Sequence, residues 1–367
     1  MTAIMKENVG KIISTYLNNK AFTACAVGVS SYVGGEINVA DLYRGTTGRH
    51  STDVQVDKKS LFDVASLTKP LVTLLSLLSL IRQGKADFSE KIESLLACKV
   101  PQDKKNITLL HLIGHMSGLP AHRQYYEKTA QNSRLDGNRI CRWILDEPLE
   151  SAPGERYIYS DLGYILLGRI VEHKSGEGIA AYWRREIVEP LALDDEFHIY
   201  GETSVAKEKY VSTGCNSFDE DDVYGQVHDE NCRAAGRILG HAGLFSTLHG
   251  VVSLCNCILL SCLEFSGHPA YRDKDMHFLL EAGVGGQWAC GFDVRTGREP
   301  SSGTLFSEKT IGHLGFTGTS MWIDIQKRIS VVLLTNRVIH GLQTNTLQYM
   351  RPLLHDAVMR SFSSKII

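Results

Sequence analysis

Phe62-Asp-Val-Ala-Ser66-Leu-Thr-Lys69-Pro-Leu-Val-Thr-Leu-Leu-Ser-Leu-Leu-Ser-Leu-Ile81 is the stretch on which the reading of this 367-residue chain turns. Phe62 to Ala65 reads as the end of an extended piece. Residues 71–81 read as a buried helix, closed by Gly84 as its C-cap. Ser66 and Lys69 fall in the first helical turn, where residues three apart share a face, so the lysine amine comes within reach of the serine hydroxyl. A serine hydroxyl is a weak nucleophile and needs a neighbouring base. A lysine can serve when burial or nearby positive charge lowers its pKa, and the helix N-terminus offers free N–H groups to a developing oxyanion. The same spacing recurs at Ser204 and Lys207, in a polar stretch with no apolar helix behind it. On the local pattern alone, a Ser66 that merely caps the helix is as good a reading as a nucleophile.

On either side of this stretch the chain alternates in character. Residues 5–17 carry apolar side chains at helical spacing. Two strand-like runs then flank Gly34-Gly35, which reads as a β-hairpin. From 86 to 300 the pattern is mostly helical or irregular, with helices expected at 161–174, 179–188 and 242–263. The end returns to strands: 319–325 and 329–335 flank a polar Gln326-Lys327-Arg328 turn and read as a second hairpin. A closing helix is expected over 343–360, bent or interrupted by Pro352. The economical architecture is α+β: an antiparallel sheet flanked by helices, residues 1–85 and 301–367, plus a mostly helical domain, residues 86–300. The default place for a site is the cleft between them.

Composition narrows the function. Forty-one acidic against thirty-nine basic residues give a net charge of −2, too neutral for a protein that tracks a phosphate backbone. Apolar residues make up 43% and charged residues 22%, which excludes general disorder. The nine cysteines form no C-x-x-C pair. The start lacks the apolar core of a secretory signal, and the apolar runs fall short of the ~20 residues that span a bilayer. The expectation is a cytoplasmic protein with reduced thiols, no membrane or nucleic-acid partner, and a small-molecule substrate. His111 and His115 are spaced i, i+4 but lack the glutamate of H-E-x-x-H, and neither a metal nor a cofactor is expected.

Two further blocks follow the serine in order: Tyr159-Ser-Asp161, after Pro153-Gly154, and His313-Leu-Gly-Phe-Thr-Gly318, before the second hairpin. With S-x-x-K they resemble the serine β-lactamase and penicillin-binding-protein superfamily, in its class C β-lactamase-like branch, whose elements are S-x-x-K, then Y-x-N or a variant, then K-T-G or H-x-G. Ile107 to Pro120, His241 to Thr247 and Thr335-Asn-Arg337 carry the resemblance over most of the chain. It implies a β-lactamase/transpeptidase-like fold and an acyl-enzyme on Ser66, with Lys69 and Tyr159 sharing the base work. The amides of Ser66 and Phe316 would form the oxyanion hole. Asp161, His313, Gly315, Asn336 and Arg337 would meet substrate, with a strand-end hydrogen bond an equal reading for Asn336 and Arg337.

Two positions depart from the family pattern. Asp161 stands where asparagine is frequent, and an ionised carboxylate can only accept hydrogen bonds. His313 replaces a permanent charge with a titratable one. Both make an anionic β-lactam a poorer match than a small ester, a D-amino-acid peptide or an amide. The alternative is a catalytically inactive member serving as a binding or scaffold protein. Val227-His-Asp-Glu-Asn231 reads equally as a cleft wall or as an anchoring loop.

Overall fold

The computed structural model describes residues 3–129, 134–203, 205–214, 222–282, 288–297, 299–340 and 346–363. Among the described residues ten strands are formed: β1 (Ala24–Val33), β2 (Glu36–Gly45), β3 (Phe62–Asp63), β4 (Phe197–Ile199), β5 (Leu244–Ser246), β6 (Trp288–Ala289), β7 (Phe292–Val294), β8 (Thr310–Leu314), β9 (Ser320–Asp324) and β10 (Ile329–Thr335). Seven of them make one sheet in the order β2-β1-β10-β9-β8-β7-β6, and β3-β5-β4 make a small second sheet. All the ladders are antiparallel.

The alternation of the strands explains the layers. On β1, Cys25, Val27 and Val29 face one side with Val331 and Leu333 of β10. There they pack against Met5, Val9 and Ile13 of the first helix (Ala3–Asn18) and Met350, Leu354 and Val358 of the last (Leu347–Ser363). Ala24, Ala26, Val332 and Leu334 face the other side, against the helix Leu248–Cys262. A Cβ on Gly28 would lie 2.6 Å from Val252, so this glycine lets that helix settle onto the sheet. The first hairpin turns through Gly34 (φ 63°) and Gly35 (φ 88°), the two consecutive positive φ values of a type I′ turn.

The chain differs from expectation in four places. Residues 288–294 form β6 and β7 of the main sheet, upstream of the expected limit at 301, because strands this short leave no periodic signal. The run at 242–263 is not helical throughout: β5 precedes a helix that Thr247 caps through Gly250 N (3.1 Å). The last helix continues through Pro352, losing only the one amide that proline lacks; residues 343–345 lie outside the described residues. One apolar cluster joins Ala26, Leu71 and Met321 of the sheet part to Leu166 and Trp183 of the helical segment, so both share a core. The stretch Ala65–Arg82 has the length and apolarity of a membrane span but is 89% buried in that core.

Candidate active site

The turn that presents Ser66 is held from three sides. β3 ends at Asp63, whose buried carboxylate accepts hydrogen bonds from the Ala65 amide (2.8 Å) and the His228 amide (2.8 Å). Ala65 sits in the left-handed region at φ 48°, a conformation that costs a residue with a Cβ roughly 1–2 kcal/mol. The Asp63 hydrogen bonds offset that strain. Thr317 Oγ1 donates to Asp63 O (2.7 Å) and Thr319 Oγ1 to Val64 O (3.1 Å), so the end of β8 is bolted to the same turn. Ser66 lies in a 3-10 turn (Ala65–Leu67), followed by a π-helical turn over Lys69–Leu74 before the α-helix proper begins. Such turns gather at functional sites.

Lys69 is wholly buried, and its Nζ lies 3.0 Å from Ser66 Oγ. The same Nζ is 2.6 Å from Asp161 Oδ1 and 3.5 Å from the carbonyl of His241. Burial alone would push the lysine pKa down, but Asp161 and Tyr159 together raise it above the ordinary value, so Lys69 rests as an ammonium. Burial would raise the Asp161 carboxyl. Lys69 and the His122 ring (3.4 Å to Oδ2) instead hold it well below the usual carboxylate range. His241, whose carbonyl faces Lys69 Nζ, places its Nε2 3.0 Å from Asp229 Oδ1. The Asp161 carboxylate is taken up by Lys69 and His122, and Asp161 is not among the residues that line the cleft beside Ser66.

Tyr159 crosses over this pair, with Lys69 Nζ 4.8 Å from its ring centre. Burial raises its pKa, and hydrogen bonds to Lys69 and Ser66 pull the other way without overcoming it. Ser160 caps the helix Asp161–Ser175 through Gly163 N (3.1 Å). The Ser160 amide donates to His115 Nδ1 (3.0 Å), and the His115 ring lies 4.5 Å from that of Tyr159. His115 is buried and its pKa is driven well below normal, by burial first and by Lys69 second. A neutral imidazole thus pins the tyrosine. His111, its i−4 neighbour, accepts from Thr108 N (3.3 Å) in a capping box, so the two rings serve separate backbone contacts.

The other wall is β8 and the turn after it. A cleft of about 330 Å³ is lined by Ser66, Tyr159, Asp293, His313, Leu314, Gly315, Phe316, Arg337 and Arg351. His313 is buried, 5.9 Å ring to ring from Tyr159, and its Nδ1 meets Leu314 O at 2.9 Å. Burial first and Lys69 second push its pKa down to about 3, so it is neutral. Its proton on Nδ1 leaves Nε2 as an acceptor. A Cβ on Gly315 would lie 2.7 Å from Val64 O, so only glycine allows β8 to lie this close to the Ser66 turn. Phe316 N, one residue on, has no acceptor among the described residues. Arg337 donates from Nε to Phe316 O (2.5 Å) and stacks its guanidinium 4.7 Å over the Phe316 ring.

Asn336 does not belong to this set. Its side chain accepts from the Thr23 and Ala24 amides (3.1 and 3.0 Å) and donates to Thr23 Oγ1 and Ser212 O. Every hydrogen-bonding position of the amide is used to tie the end of β10 to β1. Of the two readings of the 227–231 segment, the structure shows the anchoring loop: Asn231 accepts from the Tyr126 amide and donates to the Arg123 carbonyl, while the His228 ring lies tilted 5.2 Å from that of Phe316. Asp63, His115, His122, Asp293 and Arg351 were not singled out for this site by the sequence reading. Asp63, three residues before Ser66, carried a signal in hindsight: an acid just ahead of a strained turn. The others reach the site only through contacts distant in sequence. Ser204 of the second S-x-x-K lies outside the described residues.

Comparison with known proteins agrees with this geometry. A sequence profile of the family described as Beta-lactamase matches residues 24–348. A putative D-alanyl-D-alanine carboxypeptidase of Salmonella schwarzengrund is 27% identical over 312 residues, covering 77% of this chain and 71% of that protein. Among solved structures, EstCE1, a hydrolase with promiscuous acyltransferase activity, superposes with a TM-score of 0.76 at 18% identity, covering 97% of this chain and 98% of the other. D-amino acid amidase from Ochrobactrum anthropi SV3 gives 0.74 at 16% identity, over 99% of each chain. The octameric penicillin-binding protein homologue from Pyrococcus abyssi gives 0.72 at 17%, over 97% of this chain and 77% of that one. The fold is thus that of the β-lactamases and penicillin-binding proteins, and the chain belongs to the Beta-lactamase family of serine hydrolases.

Proposed function

We propose that Ser66 is the nucleophile of a hydrolase acting through an acyl-enzyme on small esters and on D-amino-acid amides or short peptides. The observation that carries this reading is Ser66 Oγ at 3.0 Å from a buried Lys69 ammonium, on the floor of an open cleft. That ammonium donates to the serine oxygen, so the serine proton is directed elsewhere, and the phenol oxygen of Tyr159 is the group in reach. Burial holds Tyr159 as a phenol, so it first releases its own proton to solvent, and the phenolate then takes the Ser66 proton as Oγ bonds to the substrate carbonyl carbon. The carbonyl oxygen turns towards the Ser66 and Phe316 amides as negative charge gathers on it. Tyr159 then returns the proton to the departing alcohol or amine. Water attacks the acyl-enzyme by the same route in reverse and frees the acid.

The substrate ranking follows from charge. His313 is neutral, so it supplies no fixed cation for an anionic β-lactam, and this leaves Arg337 for that task. Similar proteins named as a putative D-alanyl-D-alanine carboxypeptidase, a hydrolase with promiscuous acyltransferase activity, a D-amino acid amidase and a β-lactamase support the small acyl substrate class without ranking its members. Incubation with a fluorophosphonate followed by peptide mass spectrometry should place the adduct on Ser66. A panel of short-chain p-nitrophenyl esters, D-alanyl peptides and nitrocefin should then rank esters and peptides first. A folded protein with no adduct would leave the binding-protein alternative, and dominant nitrocefin turnover would reverse the ranking.

A further inference from the structure

The cleft has an acidic end that the chemistry at Ser66 does not use. β7 runs beside β8 only through the pairs Asp293↔Gly312 and Val294↔Ile311. Beyond Gly312, the edge of β8 that faces the cleft carries no strand from that side among the described residues. Asp293 closes one end of this open edge, and Phe316 lies in the turn just past its other end at Leu314. Asp293 is the one carboxylate among the lining residues, and the cations Arg337 and Arg351 line the same cleft.

The Asp293 carboxylate is treated differently from its peers. Asp63 takes two backbone amides. Asp324 takes Ser307 N and Oγ and the Lys327 amide. Asp356 takes the Thr304 amide and hydroxyl and the Leu305 amide. Asp293 has no ion pair and no side-chain hydrogen bond among the described residues; the adjacent Val294 amide and the Tyr157 phenol lie near it, and burial pushes its pKa up to about 7. A half-buried carboxylate left without a counter-ion is costly, and the deficit is of the kind that an incoming cation removes.

We infer that Asp293 binds a primary ammonium of the substrate, the free N-terminus of a short peptide lying along β8 ahead of the scissile carbonyl. This rests on the cleft being the substrate site proposed above and narrows its substrate class to amine-terminated acyl groups. A neutral or acylated amino terminus would leave the carboxylate unpaired, which is the stronger form of discrimination.

Binding can be read without turnover. In the Ser66→Ala variant, calorimetric titration with tri-D-alanine and with its N-acetyl form should show the free amine binding at least tenfold more tightly. In Ser66→Ala/Asp293→Asn the ratio should fall to near one, and in Ser66→Ala/Asp293→Glu it should be largely restored. Equal affinities in the single variant would overturn the inference, as would a ratio that survives Asp293→Asn or a failure of both peptides to bind. The first comparison alters only the ligand, so a misfolded Asp293 variant cannot decide the matter. Failure of the fluorophosphonate adduct in the wild type would end the hydrolase reading and leave this result standing.

Discussion

The floor and the rim of the cleft are built on opposite terms. On the floor, Lys69 is 2.6 Å from Asp161, and Asp161 is also held by His122. Asp63 is saturated by two amides, and His115 by the Ser160 amide. On the rim, Asp293 lacks an ionic partner, and the Phe316 amide points at nothing among the described residues. Groups that must stay still for chemistry are cross-braced within the protein, and groups that meet a substrate are left open to it. Preorganised donors give most where charge develops and no reorganisation is needed, whereas discrimination needs polar groups that only the right ligand completes.

Changes on the floor should therefore cost rate, and the largest loss should come from the nucleophile. Ser66→Ala should lower kcat for a p-nitrophenyl ester by ~10⁴-fold or more, as removal of a serine nucleophile does elsewhere, and should abolish labelling by a fluorophosphonate. Residual turnover within tenfold of wild type would move the chemistry off Ser66. Next come the two groups above it. Lys69→Ala and Tyr159→Phe should each lower kcat by about 10²-fold. Lys69→Ala should also destabilise the fold by about 3 kcal/mol in urea unfolding, because it strands Asp161 without its ammonium. Tyr159→Phe removes no charge partner and should unfold close to wild type. Equal stability of the two variants would contradict the picture of a braced floor.

How much of this was legible beforehand depends on where the partners sit in the chain. Ser66 and Lys69 are one helical turn apart, so their contact follows from local geometry alone. The Gly34-Gly35 hairpin and the β9–β10 hairpin are local in the same way. Asp161 was placed near the site by the resemblance, but its ion pair was not foreseen, because its partner Lys69 lies ninety-two positions away and nothing in Tyr159-Ser-Asp161 announces one. For Asn336 a substrate contact and a strand-end hydrogen bond were equal readings, and the structure shows the hydrogen bond: the backbone it ties down belongs to Thr23 and Ala24 at the other end of the chain. The small sheet of β3, β5 and β4 draws two or three residues from each of three distant segments, too few to show a period of two.

On the rim, effects should be smaller and should depend on the substrate. Arg337→Gln should raise KM about tenfold for an ester bearing a carboxylate, the loss of one charged hydrogen bond. It should change KM for a neutral ester by much less, because only the tie to Phe316 O is then lost. A uniform loss of kcat on both substrates would assign Arg337 to the floor instead.

The smallest change in rate, and the most informative, should come from Asp161→Asn, measured as kcat/KM against pH. In the wild type the Lys69 pKa is raised and the Tyr159 pKa is raised by burial. The acceptor must be deprotonated to act, so the rate should go on climbing with pH well into the alkaline range along the Tyr159 limb. Replacing Asp161 removes the main attraction that holds the proton on Lys69 and leaves burial to act alone, which lowers the lysine pKa. Lys69 then becomes a neutral amine at lower pH and can take the Ser66 proton itself. The rising limb should move to lower pH while the rate near neutrality changes by less than about tenfold, a compensation between two bases of the kind general-base catalysis allows. A limb that stays in place would mean that Asp161 does not set the charge on Lys69, and the contrast between a braced floor and an open rim would then rest on packing rather than on protons.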